Sequence, residues 1–455
     1  MAGFLEVPWV GIGVETPFAG IERFPAATTW VIGQDGNTRE SRYWSFVPPT
    51  EPRSIRFEDA QAEVRELLTD AVRLRFRSDV PVGTCLSGGL DSSSIVALAA
   101  QKLSKAPKTF SAIYDVAGFE EGEFIDEMNR QFSLDSFPVR PNGSDLPETF
   151  SKIAYFQDEP SAGPGLYSQW HVMKTAAPEV KVLLDGQGGD EVFAGYFPYF
   201  TQYTETLLRR AAGLDVGAGL LALRSGYKIG RLTGNDPILA HLRQQGMKRL
   251  PRRAQRLLQR LRPPAPAAPP LLGSALAANA QSRAGWAPER PTGDALTNVL
   301  WDQLVRTSVP GLLHYEDRDS MAFSIEARVP FLDYRLVEYV FGLPTEHKIH
   351  LDMTKRILRE AMRGILPERI RLRRDKKGYP TPFSHWVKEP RHREWAEDLL
   401  LGRRAVERGY LNPAATRRFW DEHLAGTQDN SWRLWQIMSV EAFARRFFDG
   451  TFSPD

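Results

Sequence analysis

The chain of 455 residues is long enough for two or three domains and a sizeable core. With 42% hydrophobic and 25% charged residues it has the composition of an ordinary globular protein, and no apolar run approaches the length of a membrane span. A formal charge of +2 gives no reason to expect nucleic acid as the main partner, the lone Cys85 excludes an internal disulfide and a cysteine-rich zinc site, and MAGFLEVPWVGIG lacks the basic and apolar regions of a secretory signal, so a soluble, cytoplasmic chain without a membrane partner is expected.

Within residues 1–55 the pieces ATTWVIG and RYWSFV read as strands around the turn QDGN, too little chain for an independent β domain. Residues 57–77 space Ala62, Val64, Leu67, Leu68, Ala71, Val72 and Leu74 as one face of an amphipathic helix. From Val80 to about Tyr196, PVGTCL, SSSIVALAAQKL, KTFSAIY, GEFIDEMNRQF, DSFPVRP, DLPETFSKIAYF, LYSQWHVMKTA and VKVLLD pass back and forth between strand-like and helix-like patterns. That alternation predicts an α/β fold, a parallel sheet flanked by helices, with ligands at the carboxyl ends of its strands. Residues 209–262 carry thirteen Lys or Arg against Asp215 and Asp236 and run into RPPAPAAPP, which reads as a basic helical insertion ending in a proline-rich linker. A solvated face explains its charge more simply than an anionic partner does. Beyond residue 290 the chain is mostly helical, with apolar stripes in NVLWDQLVRTSV, YRLVEYVFGL and RLWQIMSVEAFARRFF. Cys85, in VPVGTCL, reads as a small buried hydrophobe.

The stretch LSGGLDSSSIVALAA, residues 86–100, sits between the strand PVGTCL and the helix that follows. Glycine lets backbone approach a ligand closely, and the first N–H groups of a helix have no partner within it. Ser87, Gly88 and Gly89 therefore form a nest for an anion, to which Ser87, Ser92 and Ser93 add hydroxyl groups. The motif G-x-x-x-x-G-K-[ST] is absent, so this is not the loop of the common nucleotide triphosphatases. Asp91 inside the loop would repel phosphate unless a divalent cation, Mg2+ by its preference for carboxylate and phosphate oxygens, lay between them. A second strand and glycine turn, VKVLLDGQGGDEVFAGY at 180–196, delivers Asp190 and Glu191 to the start of another helix, so that Asp91 and Asp190 could share one ion.

Taken together, SGGLDSSS, DGQGGDEVFAGY, SMAFSIEARVPFLD at 320–333 and RRDKKGYPTPF at 373–383 resemble, in order, the synthetase domain of the glutamine-hydrolysing asparagine synthetases. The resemblance runs from about Glu58 to the C-terminus. It implies an adenine-nucleotide α-hydrolase-like fold in which Ser87, Gly88, Gly89, Asp91, Ser92 and Ser93 hold the pyrophosphate of ATP with Mg2+, Leu86 and Ala112 line the nucleotide, Asp185 and Gly186 touch AMP, and Asp190 is the second Mg2+ ligand. Lys376 matches a lysine that contacts phosphate and stabilises the adenylation transition state. The implied division is a β remnant of a glutaminase-like domain at 1–55, a nucleotide-binding core at 56–205, the basic insertion at 206–290 and a helical remainder at 291–455. The implied reaction adenylates a carboxylate, aspartate in the simplest case, and lets ammonia displace AMP; a homodimer is compatible with it. Glu326, Arg328 and Asp333 are expected to form a buried ion-pair frame in preference to acting directly in catalysis, and Asp158 and Glu159 to lie on a loop before a helix or near the substrate.

Two departures qualify the resemblance. The family's glutaminase domain begins on a cysteine nucleophile, where this sequence has Ala2, so ammonia is expected to be free or to come from a separate glutaminase. Gln187 stands where many asparagine synthetases have a glutamate thought to deprotonate ammonium, and an amide is no general base. The acceptor carboxylate is thus left open, as are a related macrolactam- or β-lactam-forming reaction and a nucleotide-binding protein without turnover.

Overall fold

The computed structural model describes residues 1–6, 13–104, 106–234, 237–238, 270–280, 289–375 and 380–450. Residues 235–236, 239–269 and 281–288 of the basic insertion, which include nearly all of its proline-rich end, and Lys376 itself lie outside the described residues.

Seven strands are present among these: β1 Thr28–Ile32, β2 Thr38–Arg42, β3 Val82–Cys85, β4 Lys108–Ala112, β5 Asp135–Val139, β6 Val182–Leu184 and β7 Glu326–Arg328. β1 and β2 form an antiparallel hairpin, Thr28 opposite Arg42 and Ile32 opposite Thr38. The returning strand is the polar TRESR; of RYWSFV, expected to be that strand, only Arg42 belongs to it, and the residues from Tyr43 onward lie beyond the strand. The aromatic residues among them answer to helices instead: Trp44 Nε1 donates to Glu338 at 3.1 Å, Phe46 meets the Phe341 ring edge-on at 5.1 Å, and the Phe46 carbonyl accepts from Trp301 Nε1 at 2.9 Å.

The other five strands make one parallel sheet in the order β5-β4-β3-β6-β7. Its short apolar runs suit a sheet covered on both faces. Along β6, Val182 and Leu184 enter one core with the helix Phe57–Arg75, while Leu183 enters another with Cys85, Phe110 and Met173 of the helix Gly165–Ala176, the two-residue period of a strand buried on both sides. The helix Phe57–Arg75 buries Ala60, Val64, Leu68, Ala71 and Val72 and packs on the helices Leu90–Lys102 and Arg356–Ala361. A third cluster, built on Phe150, Tyr167, Trp420 and Trp435, joins the C-terminal helices to the helices Leu146–Phe156 and Gly165–Ala176. β7 was not anticipated: only three residues long, it comes from the otherwise helical C-terminal part and completes the sheet beside β6.

The chain leaves β3 toward β4 and β5 on one side of the sheet and resumes with β6 and β7 on the other. Where order reverses, the loops after neighbouring strands diverge and leave a crevice at their carboxyl ends. Here that crevice lies between β3 and β6, the strands that precede the two glycine-rich loops. No helix among the described residues is long and apolar enough to cross a membrane.

Candidate active site

β3 delivers Leu86 and the turn Ser87–Gly88–Gly89, and Gly89 caps the helix Leu90–Lys102. Gly88 has φ +69°, and a Cβ there would lie 2.6 Å from Phe124 Cβ, so the position tolerates no side chain. The hydroxyls brace the turn: Ser92 Oγ accepts from Ser87 N at 3.1 Å and lies 3.1 Å from Ser87 Oγ, which is 3.3 Å from Gly89 N. β6 delivers Asp185, Gly186, Gln187 and Gly188, followed by the helix Gly189–Phe193 that carries Asp190 and Glu191.

The two loops interlock through their glycines. A Cβ on Gly186 would stand 3.0 Å from Asp91 Cβ and 3.3 Å from Ser92 N, and one on Gly189 would stand 2.9 Å from Asp91 Cγ. A Cβ on Gly195 would collide with the Asp190 carboxylate and the Lys355 stem. Asp91 and Asp190 consequently face each other across a narrow gap, and both reach one cation. Lys355 Nζ is 2.6 and 2.5 Å from the two Asp91 oxygens and 2.7 Å from Asp190 Oδ1, with its side chain only 4% exposed. Its own backbone is left-handed, φ +51°, at the start of the helix Arg356–Ala361.

Around this centre lies a cavity of about 770 Å³. Eight of the anticipated residues line it: Leu86, Ser87, Asp91, Ser92, Ala112, Asp185, Gly186 and Asp190. Gly88 and Gly89 shape the turn without lining the space, and Ser93 is fully buried on the helix, its hydroxyl without a hydrogen-bond partner among the described residues. Lys376, as noted, is not among the described residues. Cys85 is buried and contributes to the cavity wall. Asp158 and Glu159 stand away from it, Asp158 3.4 Å from Arg318 and Glu159 paired with Arg23.

In place of the single buried frame expected at 326–333, the structure has two separate ion-pair groups, one around Arg328 and one around Asp333. Arg328 binds Glu326 at 2.7 Å and the Arg75 and Arg77 carbonyls at 2.7 and 2.8 Å, while Asp333 joins Arg75 at 2.6 Å and Arg335 at 2.9 Å. Burial alone would raise the Asp333 carboxyl, but the hydrogen bonds from Arg335 and Arg75 outweigh it and hold the group at about 2. Glu326 is exposed, so only the Asp333 group is buried.

Three participants are given no role by the sequence, although it already places Glu191 beside Asp190. Lys355 is the first. The second is Arg373, whose guanidinium donates to the Gly88 carbonyl at 3.2 Å and to buried Glu121 at 2.8 Å while stacking 4.0 Å from the Phe124 ring, which fixes the glycine turn from behind. The third is Glu191, 1% exposed, which accepts from Ser308 at 2.7 Å and from Tyr196 at 3.0 Å. Burial, and then the charge of Asp190, raise its carboxyl above the ordinary range, and burial with the same acids raises the Tyr196 phenol well above its own.

The donor set suits Mg2+. That ion takes one or two carboxylates together with phosphate oxygens and water, not a cage of protein ligands, and Asp91 and Asp190 are two buried carboxylates already aimed at one positive charge. No group of three or more His, Cys, Asp or Glu poised to hold a metal occurs among the described residues.

A family model described as asparagine synthase matches residues 63–445. Among curated proteins, "Asparagine synthetase [glutamine-hydrolyzing] 1" of Bacillus subtilis is 28% identical over 92% of this chain and 64% of its own length. A "Putative asparagine synthetase [glutamine-hydrolyzing]" of Mycobacterium bovis is 31% identical over 86% of this chain and 59% of its own length, and "Amidase chry2" of Gibberella zeae is 26% identical over 90% and 65%. The chain thus spans less than two thirds of the length of these relatives. The match runs from the helix Phe57–Arg75 through both glycine loops to the last described helix, and by it the chain belongs to the asparagine synthase family.

Proposed function

We propose that the chain is a ligase that activates a carboxylate with ATP and converts it to an amide. One observation carries this reading: two carboxylates from separate strand ends, Asp91 and Asp190, meet at a single cation beside a serine-glycine turn at a helix start. The family and the names of the relatives support the same class of reaction.

In this reading the turn Ser87–Gly89 and the start of the helix Leu90–Lys102 hold the β- and γ-phosphates through backbone N–H groups, with Ser87 and Ser92 presenting hydroxyls. Leu86 and Ala112 pack against the nucleoside, and Asp185 and Gly186 lie along AMP. Asp91 and Asp190 would hold Mg2+, which when bound would supply charge stabilisation at the phosphate oxygens. Lys355 and Lys376 provide further positive charge, Lys355 from its place between the two acids. An oxygen of the acceptor carboxylate attacks the α-phosphorus and pyrophosphate leaves. Ammonia then attacks the acyl carbon, the C–O bond to AMP breaks with its electron pair on AMP, and the nitrogen gives up one proton to solvent, leaving the amide NH2. Fixed donors and cations in a buried site stabilise charge in both steps, and removing one such contact costs about 10² to 10³ in rate.

Aspartate is the simplest acceptor. Gln187 lines the cavity and cannot take a proton from ammonium, which leaves room for another carboxylate or for an amine in place of ammonia. Exchange of labelled pyrophosphate into ATP, run with Mg2+ against aspartate, peptide and uronic-acid carboxylates, tests the first step, and amide formation with ammonium tests the second. Exchange with one class names the acceptor. Tight ATP binding with no exchange for any of them would replace the reading by a nucleotide-binding protein without turnover.

A further inference from the structure

Behind Gln187 lies a carboxyl that the reaction as written does not use. Glu316 sits in the helix Ser308–Met321, 1% exposed, and neither of its oxygens has a partner at full hydrogen-bond geometry among the described residues. Its polar neighbour is the Gln187 side chain, and the charges that bear on it are all acids: Asp185 from the loop after β6, and Asp317 and Asp319 of its own helix. Burial first, and then Asp185, push this carboxyl well above the ordinary range, outweighing a hydrogen bond from the Gln187 side chain that by itself would lower it. One turn further along, the equally buried Asp319 fixes another amide, accepting from Gln157 Nε2 at 2.8 Å.

The protonation state of Glu316 decides what Gln187 can offer. An ionised Glu316 could only accept, so it would draw the Gln187 Nε2 group toward itself and turn the amide oxygen into the cavity. A neutral Glu316 carries an O–H that donates to Gln187 Oε1, which turns both N–H bonds of Nε2 the other way. Desolvation and a surround of acids both select the neutral form. Gln187 lines the same cavity as Gly186 and Asp185, so donors turned away from Glu316 would open onto the space where the acceptor is activated.

We propose that Glu316, as a neutral carboxyl, is a positioning residue that aims the Gln187 N–H groups at the oxygens of the acceptor carboxylate and of its acyl-adenylate. Position 187 then serves as a fixed donor for developing negative charge, a role an amide fills and a base would not. This inference rests on the adenylation reading above.

The test uses the full chain, with E316Q and E316L. Glutamine at 316 can still donate to Gln187 Oε1 but cannot ionise; leucine can do neither. Pyrophosphate exchange by the wild type should fall on the alkaline side as Glu316 ionises. E316Q should keep exchange at neutral pH within about threefold and lose that alkaline fall, whereas E316L should lose about 10²-fold with ATP binding unchanged. Difference infrared spectra should show a protonated carboxyl band at neutral pH in the wild type and not in E316Q. An alkaline fall that persists unchanged in E316Q, full exchange in E316L, or no such band would each overturn the inference. If the wild type exchanges with no carboxylate, the adenylation reading itself fails; if it exchanges and both variants behave like it, only the role of Glu316 does.

Discussion

Replacing Lys355 with methionine isolates the electrostatics of the centre. At 2.7 Å and an effective dielectric constant near 20, one ion pair such as Lys355–Asp190 is worth about 6 kcal/mol of Coulomb energy before desolvation. Taking all three charged groups out of water offsets much of this, and removing one partner of a buried pair typically costs about 3–5 kcal/mol because the other is left uncompensated. K355M leaves two buried carboxylates, Asp91 and Asp190, face to face with methionine filling the space of the stem. Its thermal midpoint without divalent cation should therefore fall by several degrees at neutral pH. Millimolar Mg2+ should restore more of the midpoint in K355M than it adds to the wild type. Scanning both proteins with and without Mg2+ reads both effects. A loss that is the same under both conditions would show that Lys355 contributes packing and not charge, and the electrostatic account of the site would be wrong.

D190N should lower pyrophosphate exchange by about 10²–10³, with the deficit read at saturating ATP; undiminished exchange would remove Asp190 from the centre. G88A forces a side chain onto a left-handed backbone against Phe124, at a cost of about 1–3 kcal/mol, and should weaken ATP binding measured by calorimetry more than it lowers the unfolding midpoint. D333N tests the Asp333 ion-pair group beneath the second loop. The Asp333 carboxyl, held at about 2 against an ordinary 3.8, contributes stability that is present above the ordinary value and lost as pH falls through about 2. D333N should accordingly cost about 2 kcal/mol in urea unfolding at pH 7, and the gap to the wild type should close progressively below pH 4.

The sheet and the glycine loops were legible because their signals are local. An apolar run, a glycine turn and a helix in succession mark Ser87–Asp91 and Asp185–Asp190 without knowledge of what packs around them. The resemblance then supplied roles for Leu86 and Ala112 that no pattern encodes. Lys355 was illegible for the opposite reason. It stands in HLDMTKRILREA, beside a short helix and among other cations, and meets Asp91 from 264 positions away. Glu316 likewise reads as one more acid in YEDRDSM until burial and the nearness of Gln187 are known. β7, the tripeptide EAR, has no strand pattern of its own and exists through pairing with β6. RYWSFV misled because aromatic and β-branched residues mark contact with any flat apolar surface, and here helices provide it.

The contact between Gly186 and the backbone of Asp91 and Ser92 has a bearing on how this centre can change over time. With no atoms to spare between the two turns, neither can drift in sequence or spacing without carrying the other along, so variation that alters what the protein acts upon must accumulate at the far walls of the cavity, among positions such as Thr381 and Trp432. A chemistry common to all substrates and a recognition surface free to diversify are separated by the thickness of one missing methyl group.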